Sequence, residues 1–208
     1  VVPALARRKQ PDPVFLLAGG PGQSAISLAA QVMPVFARLN NRRDIVFVDQ
    51  RGTGRSAPLD CDEPRAMPLA EAADPARQLQ RLSACRERLV KLAHVKEPAG
   101  LGFFTTTLAM QDLDAVRQAL GAERINLVGA SYGTRAALEY QRLFPQAVRR
   151  SVLDGVAPPD MVLPASAGVD AQAALDALFA ACSTEPGCTR QWPALRQAWD
   201  GLLASLPR

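Results

Sequence analysis

The sequence predicts an α/β protein, a mostly parallel β-sheet covered by helices, and three observations carry that expectation. Short apolar runs alternate with helix-patterned segments along most of the chain, the order of parallel strands joined by helical crossovers. The runs themselves, in "PVFLLAGG", "RDIVFVDQ" and "RINLVGA", are continuous rather than alternating, as strands buried on both faces must be. Of the 208 residues, 48% are hydrophobic, enough to fill a sizeable core in one ordinary domain.

Taken in order, Val14 to Leu17 read as a buried strand ending in glycines. "SAISLAAQVMPVFARLN" follows with apolar residues at helical spacing behind a serine cap. "RDIVFVDQRGTG" is a second strand running into a glycine-rich turn. Residues 57 to 104 form a polar, proline-bearing insertion with one expected helix, around Glu71 to Val90. "TTTLAMQDLDAVRQALG" has a threonine start, one apolar side and Gly121 as its stop. "RINLVGA", "YGTRAALEYQRLF" and "RSVLDGV" then read as strand, helix and strand, and "VVPAL" as the end of a further strand. After "APPDMVLPASAG" the pattern changes to two Ala- and Leu-rich helical segments, near 169 to 182 and 191 to 205, separated by a loop around Cys188.

Composition removes several function classes. There are 24 Lys and Arg against 20 Asp and Glu, a net charge of +4, and the arginines are scattered. A nucleic-acid binder gathers them in a stripe with aromatics, so no nucleic-acid partner is expected. No apolar run approaches the ~18 residues of a membrane span. The opening "VVPALARRKQPDP" lacks the charged start and apolar stretch of a signal peptide, which a processed chain would have lost. Four cysteines permit three pairings. Nearest neighbours, Cys61 with Cys85 and Cys182 with Cys188, would close short loops and place the protein in the periplasm or outside the cell. Free buried thiols in a cytosolic protein are the alternative. A zinc site is disfavoured by the spacings and by a single histidine.

The chemistry-bearing motif is Gly129-Ala130-Ser131-Tyr132-Gly133, a G-x-S-x-G between a buried strand and an amphipathic helix. In that setting the serine occupies a sharp, strained turn that projects its hydroxyl, while the flanking glycines let strand and helix backbones approach. The helix N-terminus adds partial positive charge for a developing oxyanion. Ser131 is therefore the candidate nucleophile. "AGGPGQS", after the first strand, is placed to supply the other backbone donors, with Gly19 and Gly20 leaving their amides clear of side chains. Neither G-x-G-x-x-G nor a Walker lysine is present for a nucleotide.

"GGPGQS", "DQRGTGRS", "GASYGTR" and "VLDGVAPP", in this order from about Val14 to Pro159, resemble the proline-iminopeptidase and tripeptidyl-aminopeptidase branch of the α/β-hydrolase fold. The tail with "ACSTEPGC" is similar to the start of the cap in secreted tripeptidyl-aminopeptidase-like members. The resemblance implies a serine exopeptidase that trims peptide N-termini without metal or cofactor. Ser131 would be the nucleophile and Gly19 or Gly20, with Tyr132, the oxyanion donors. Asp49, Arg51 and Arg55 would fix their loop by charge-assisted hydrogen bonds. Ala18, where iminopeptidases often carry histidine, points toward the tripeptidyl type. The resemblance also implies an α/β-hydrolase core begun in residues 1–158 and a helical cap begun in 159–208.

In this fold the triad runs Ser, then Asp or Glu, then His, yet the only histidine, His94, precedes Ser131. His94 is expected on the surface or at a helix end. Asp154 ends the strand after the nucleophile helix, a position some hydrolases use for the acid. The resembling family places the acid one strand later, so Asp154 is expected to be structural. The chain is thus expected to be a piece of a longer protein whose remaining C-terminal part supplies the acid, the base and most of the cap, and to be inactive alone. An esterase for small acyl esters and an inactive scaffold are the competing readings.

Overall fold

The computed structural model describes residues 1–61, 67–162 and 165–206. Parts of the insertion 57–104 and of "APPDMVLPASAG", and the last two residues of the segment 159–208, lie outside the described residues. The chain forms two compact units, Val1–Pro159 and Asp160–Arg208.

In the first unit the elements are β1 (Val14–Leu17), α1 (Ala25–Asn40), β2 (Ile45–Phe47), α2 (Leu69–Ala72), α3 (Pro75–Leu89), a 3-10 turn (Pro98–Phe103), α4 (Thr106–Ala119), β3 (Ile125–Ala130), α5 (Tyr132–Leu143) and β4 (Val148–Asp154). The four strands form one sheet in the order β2-β1-β3-β4, every pair parallel. The chain is a parallel sheet covered by helices, as its apolar runs predict. β1 is buried along its whole length, because it sits inside the sheet with helices on both faces. Phe15 and Leu17 pack with Met110, Leu113, Ala136, Ala137 and Tyr140 of α4 and α5. Val14 and Leu16 face the other way, with Ala25 and Phe36 of α1. Coverage is uneven on that second face: Leu16 pairs through Val128 to Val152, and Val152 is 57% exposed. The segment "VVPAL" adds an isolated antiparallel bridge from Val2 to Ile45.

One carboxylate ties the N-terminal end of the sheet together. Asp12, just before β1, accepts hydrogen bonds from Arg43 Nε at 2.8 Å and Asn126 Nδ2 at 2.8 Å, and pairs with Arg149 at 3.1 Å. These residues lie before β2, in β3 and in β4. Burial works to raise the Asp12 carboxyl, but the bonds from Arg43 and Asn126 outweigh it and hold it below its ordinary value. A second buried carboxylate, Asp114 of α4, accepts from Tyr140 Oη at 2.7 Å, Arg117 Nε at 2.6 Å and Gln118 Nε2 at 2.6 Å, fastening α4 to α5. The threonines opening α4 divide their labour. Thr105 caps the helix, Thr106 meets Tyr132 Oη at 2.7 Å, and Thr107 donates to Glu139 at 2.6 Å.

The expected helix around Glu71 to Val90 is split into α2 and α3. Pro75 disfavours helical backbone at the residue before it, and Asp74 is extended (ψ 111°), its carboxylate capping α3 through Ala76 N–H. A disulfide joins Cys61 to Cys85 of α3, and Pro58 O meets His94 Nε2 at 3.1 Å.

The second unit contains α6 (Ala165–Thr184), α7 (Pro186–Gln191) and α8 (Leu195–Ser205). The stretch expected as a loop around Cys188 is helical. Glu185 caps it by accepting from the amides of Gly187 and Cys188, and Pro186 occupies the first turn, where its missing N–H costs nothing. A disulfide joins Cys182 to Cys188. Arg196 pairs with Asp176 at 2.6 Å and lies 5.1 Å from the centre of the Phe179 ring. No described helix is long and apolar enough to cross a membrane.

Two stability predictions follow from the ion pairs. Asp12→Ala strands two guanidiniums and a buried amide, and the arginines' partial exposure moderates the loss. Denaturant unfolding should show a decrease of roughly 2–4 kcal/mol. The Glu139 carboxyl is held at about 2, below its ordinary 4.5, by hydrogen bonds from Arg142 and Thr107. A depressed folded-state value means that this stabilisation is complete above pH 4.5 and lost as pH falls towards 2. Glu139→Gln should flatten that part of the stability–pH curve and leave the neutral-to-alkaline part unchanged in shape.

Candidate active site

The strand order places a crevice before any side chain is considered. From β1 the chain steps outward to β2, then returns across β1 to β3 and β4. The loops leaving β1 and β3 therefore diverge, and in open parallel sheets the opening lies at their C-terminal ends. Ser131 stands there, between β3 and α5, with φ +53° and ψ −121°. Such a backbone costs a non-glycine residue about 1–3 kcal/mol unless its surroundings enforce it.

The enforcement is visible. A Cβ on Gly133 would land on the Leu17 carbonyl oxygen, and one on Gly129 would meet the Gly133 carbonyl and sit 2.9 Å from Thr134 N. With neither side chain present, the first turn of α5 rests directly on the ends of β1 and β3. Ser131 N–H donates to Asp154 O at 2.9 Å. The Ser131 carbonyl accepts from Thr134 N at 2.9 Å and Thr134 Oγ1 at 2.7 Å. The Ser131 side chain is exposed at the N-terminus of a 12-residue helix, whose unpaired amides and dipole favour negative charge.

Gly19 is buried against this turn. A Cβ there would lie 3.3 Å from Ser131 Cβ and 3.4 Å from Ala130 O. Gly20, at φ +107°, is exposed, and its own Cβ would approach Gly22 and Gln23 instead. Of the two glycines singled out from the sequence, the structure sets Gly19 beside Ser131 and Gly20 one step further round the turn. Tyr132 follows Ser131 directly, its ring anchored to Thr106.

The glycine loop is steadied by Asp49, which is buried. Asp49 accepts from Ser24 Oγ at 2.7 Å, Ile26 N at 3.1 Å and Arg55 N at 3.2 Å. Burial pushes its carboxyl up, and the bonds from Ser24 and the amides of Ile26, Arg55 and Ala25 more than offset that. A Cβ on Gly54 would collide with this carboxylate, which accounts for the glycine. Arg51 is bidentate to Asp112, 2.7 Å on each arm, and also donates to Phe103 O at 2.8 Å. Arg55 serves Asp49 through its backbone N–H.

Neither of the other sequence candidates has a side-chain hydrogen bond to Ser131 among the bonds of the described residues. His94 is exposed in the insertion, bonded to Pro58 O and edge-on to Phe104 at 6.2 Å. Asp154 is exposed, and its backbone carbonyl is what reaches Ser131. Among the described residues no cluster of three or more His, Cys, Asp or Glu is arranged to hold a metal ion. Sequence reasoning passed over Thr134. The signal available was a threonine three residues after the serine, in the first turn of its helix.

A family described as "alpha/beta hydrolase fold" matches residues 12–181. Tripeptidyl aminopeptidase of Streptomyces lividans is 36% identical over 148 residues, covering 68% of this chain and 28% of that protein. Serine protease Hip1 of Mycobacterium tuberculosis is 34% identical over 160 residues, covering 68% and 29%. Among solved structures, a proline iminopeptidase-related protein from Thermus thermophilus aligns at 26% identity and TM-score 0.40, covering 68% of this chain and 35% of that one. The chain thus spans less than a third of the length of these curated relatives.

Gly133→Ala forces a methyl group into the Leu17 carbonyl. The expected cost is about 1–3 kcal/mol or more of unfolding free energy, read as a lower denaturant midpoint. Gly22→Ala, where a Cβ meets nothing within 4 Å but φ is +109°, isolates the backbone strain from the steric clash.

Proposed function

We propose, from the premise that this chain belongs to the alpha/beta hydrolase fold family, that it carries the nucleophile half of a serine exopeptidase site. The observation that carries the reading is Ser131, held at φ +53° on the strand-to-helix turn with Gly19 packed against it. The names borne by its relatives, tripeptidyl aminopeptidase and serine protease, favour peptides as substrate. Removal of residues from peptide N-termini is the activity proposed.

In this mechanism Ser131 Oγ attacks the scissile carbonyl carbon while a histidine takes its proton. The amides of Tyr132 and Gly19 or Gly20 hold the oxyanion that forms. The C–N bond then breaks, and the histidine returns the proton to the leaving amine. Water hydrolyses the acyl-enzyme by the same route in reverse. In this fold the histidine follows the serine in the chain, whereas His94 precedes Ser131, so the base and its carboxylate partner are assigned to sequence beyond residue 208. Residues 1–158 are read as the N-terminal part of the catalytic core and 159–208 as the beginning of a helical cap. The disulfides Cys61–Cys85 and Cys182–Cys188 support a periplasmic or secreted location.

The test uses the full-length protein and an activated phosphonate. Labelling should fall on Ser131, and Ser131→Ala should abolish it and lower kcat about 10⁴-fold or more. Tripeptidyl or aminoacyl amides should be cleaved. Hydrolysis of acyl esters with amides left uncut would replace the peptidase reading by an esterase. Absence of labelling would leave only a scaffold. Residues 1–208 alone should show no turnover.

A further inference from the structure

The peptide unit joining Ser131 to Tyr132 carries both the Ser131 carbonyl and the Tyr132 N–H. A planar trans peptide points these two groups in opposite directions. Whatever holds the carbonyl therefore aims the N–H. Both bonds recorded for this carbonyl come from one residue, Thr134, through its amide at 2.9 Å and its hydroxyl at 2.7 Å. A helix start requires only a backbone bond, so the side-chain bond is additional.

That hydroxyl is itself oriented. Thr134 is completely buried, and its Oγ1 accepts the Ala157 N–H at 2.8 Å. A hydroxyl has a single proton. Accepting from Ala157 leaves that proton to be donated to the Ser131 carbonyl. Ala157 lies three residues beyond Asp154, whose carbonyl accepts the Ser131 N–H at 2.9 Å. The segment leaving β4 thus grips Ser131 on both sides, directly at its amide and through Thr134 at its carbonyl. Arg135 adds a bond from Nη2 to Pro158 O at 2.7 Å in the same segment.

We infer that Thr134 is a positioning residue for oxyanion stabilisation: its buried hydroxyl, oriented by the Ala157 amide, locks the Ser131–Tyr132 peptide plane so that the Tyr132 N–H faces the carbonyl oxygen under attack. The inference rests on the reading of Ser131 as nucleophile. It further assigns the segment 155–157 a part in the chemistry, as the brace of an oxyanion donor. Since the donor acts only once charge develops on the substrate oxygen, loosening it weakens transition-state binding more than ground-state binding.

The experiment compares Thr134→Val and Thr134→Ser in the full-length protein. Valine matches threonine in shape and lacks the hydroxyl, whereas serine keeps it. Valine should lower kcat and the rate of phosphonate labelling about ten- to a hundredfold, short of the loss of a whole oxyanion donor, with KM nearly unchanged. A peptide trifluoromethyl ketone, which forms a tetrahedral adduct, should bind more weakly by a similar factor. The pH midpoint of kcat/KM should not move, because the base is untouched. Serine should restore the rate. Wild-type kcat in Thr134→Val, failure of serine to restore it, or a loss shared equally by kcat and KM would overturn the inference. If the valine variant does not fold, Thr134→Cys, a weak donor in the same space, decides on the same readouts. Labelling that persists in Ser131→Ala overturns the nucleophile reading itself. A dead Ser131→Ala beside a fully active Thr134→Val overturns only the role of Thr134.

Discussion

The close approach of α5 to the ends of β1 and β3 is the constraint on which the rest of this site depends. It exists because residues 129 and 133 have no side chains. A Cβ at Gly133 would occupy the position of the Leu17 carbonyl, so any larger residue must lift the helix from the sheet. Lifting it would relax the φ +53° turn, withdraw Ser131 from Gly19 and separate Thr134 from Ala157. The strain at Ser131 is thus maintained by packing on both sides of it. That agrees with the general finding that unusual backbone conformations persist only where their surroundings determine them.

Buried carboxylates organise the loops around this contact, each by collecting more donors than a simple ion pair provides. Asp12 gathers the N-terminal ends of β2, β3 and β4 beside its own strand. Asp49 joins the loop after β2 to the start of α1, and so steadies the glycine turn that lies against Ser131. Asp114 fastens α4 to α5 through Tyr140. A buried carboxylate is stabilising only when its acceptor sites are filled, and in all three the bonds outweigh burial in lowering the carboxyl below its ordinary value.

Much of the fold was legible in the chain because it is written in local patterns. The β1 run is buried at every position, the threonine start and Gly121 bracket α4, and the serine turn falls between β3 and α5. Misjudged elements have local causes that outweighed periodicity. Asp74–Pro75 divided one expected helix, and Glu185 with Pro186 made a helix of the expected Cys188 loop.

By itself the sequence determined the alternation of strands and helices, the strand-to-helix setting of Ser131 and the need for glycine at its flanks. These follow from residue type and spacing within a single turn or strand. Only the tertiary structure decided which glycine touches Ser131, which donors satisfy Asp12, where His94 lies and what Thr134 holds. Asn126 and Asp12 are 114 residues apart in the chain, and Thr134 meets Ala157 across 23. Contacts of that kind are set by which strand lies beside which, and short-range preferences of the backbone carry no record of it.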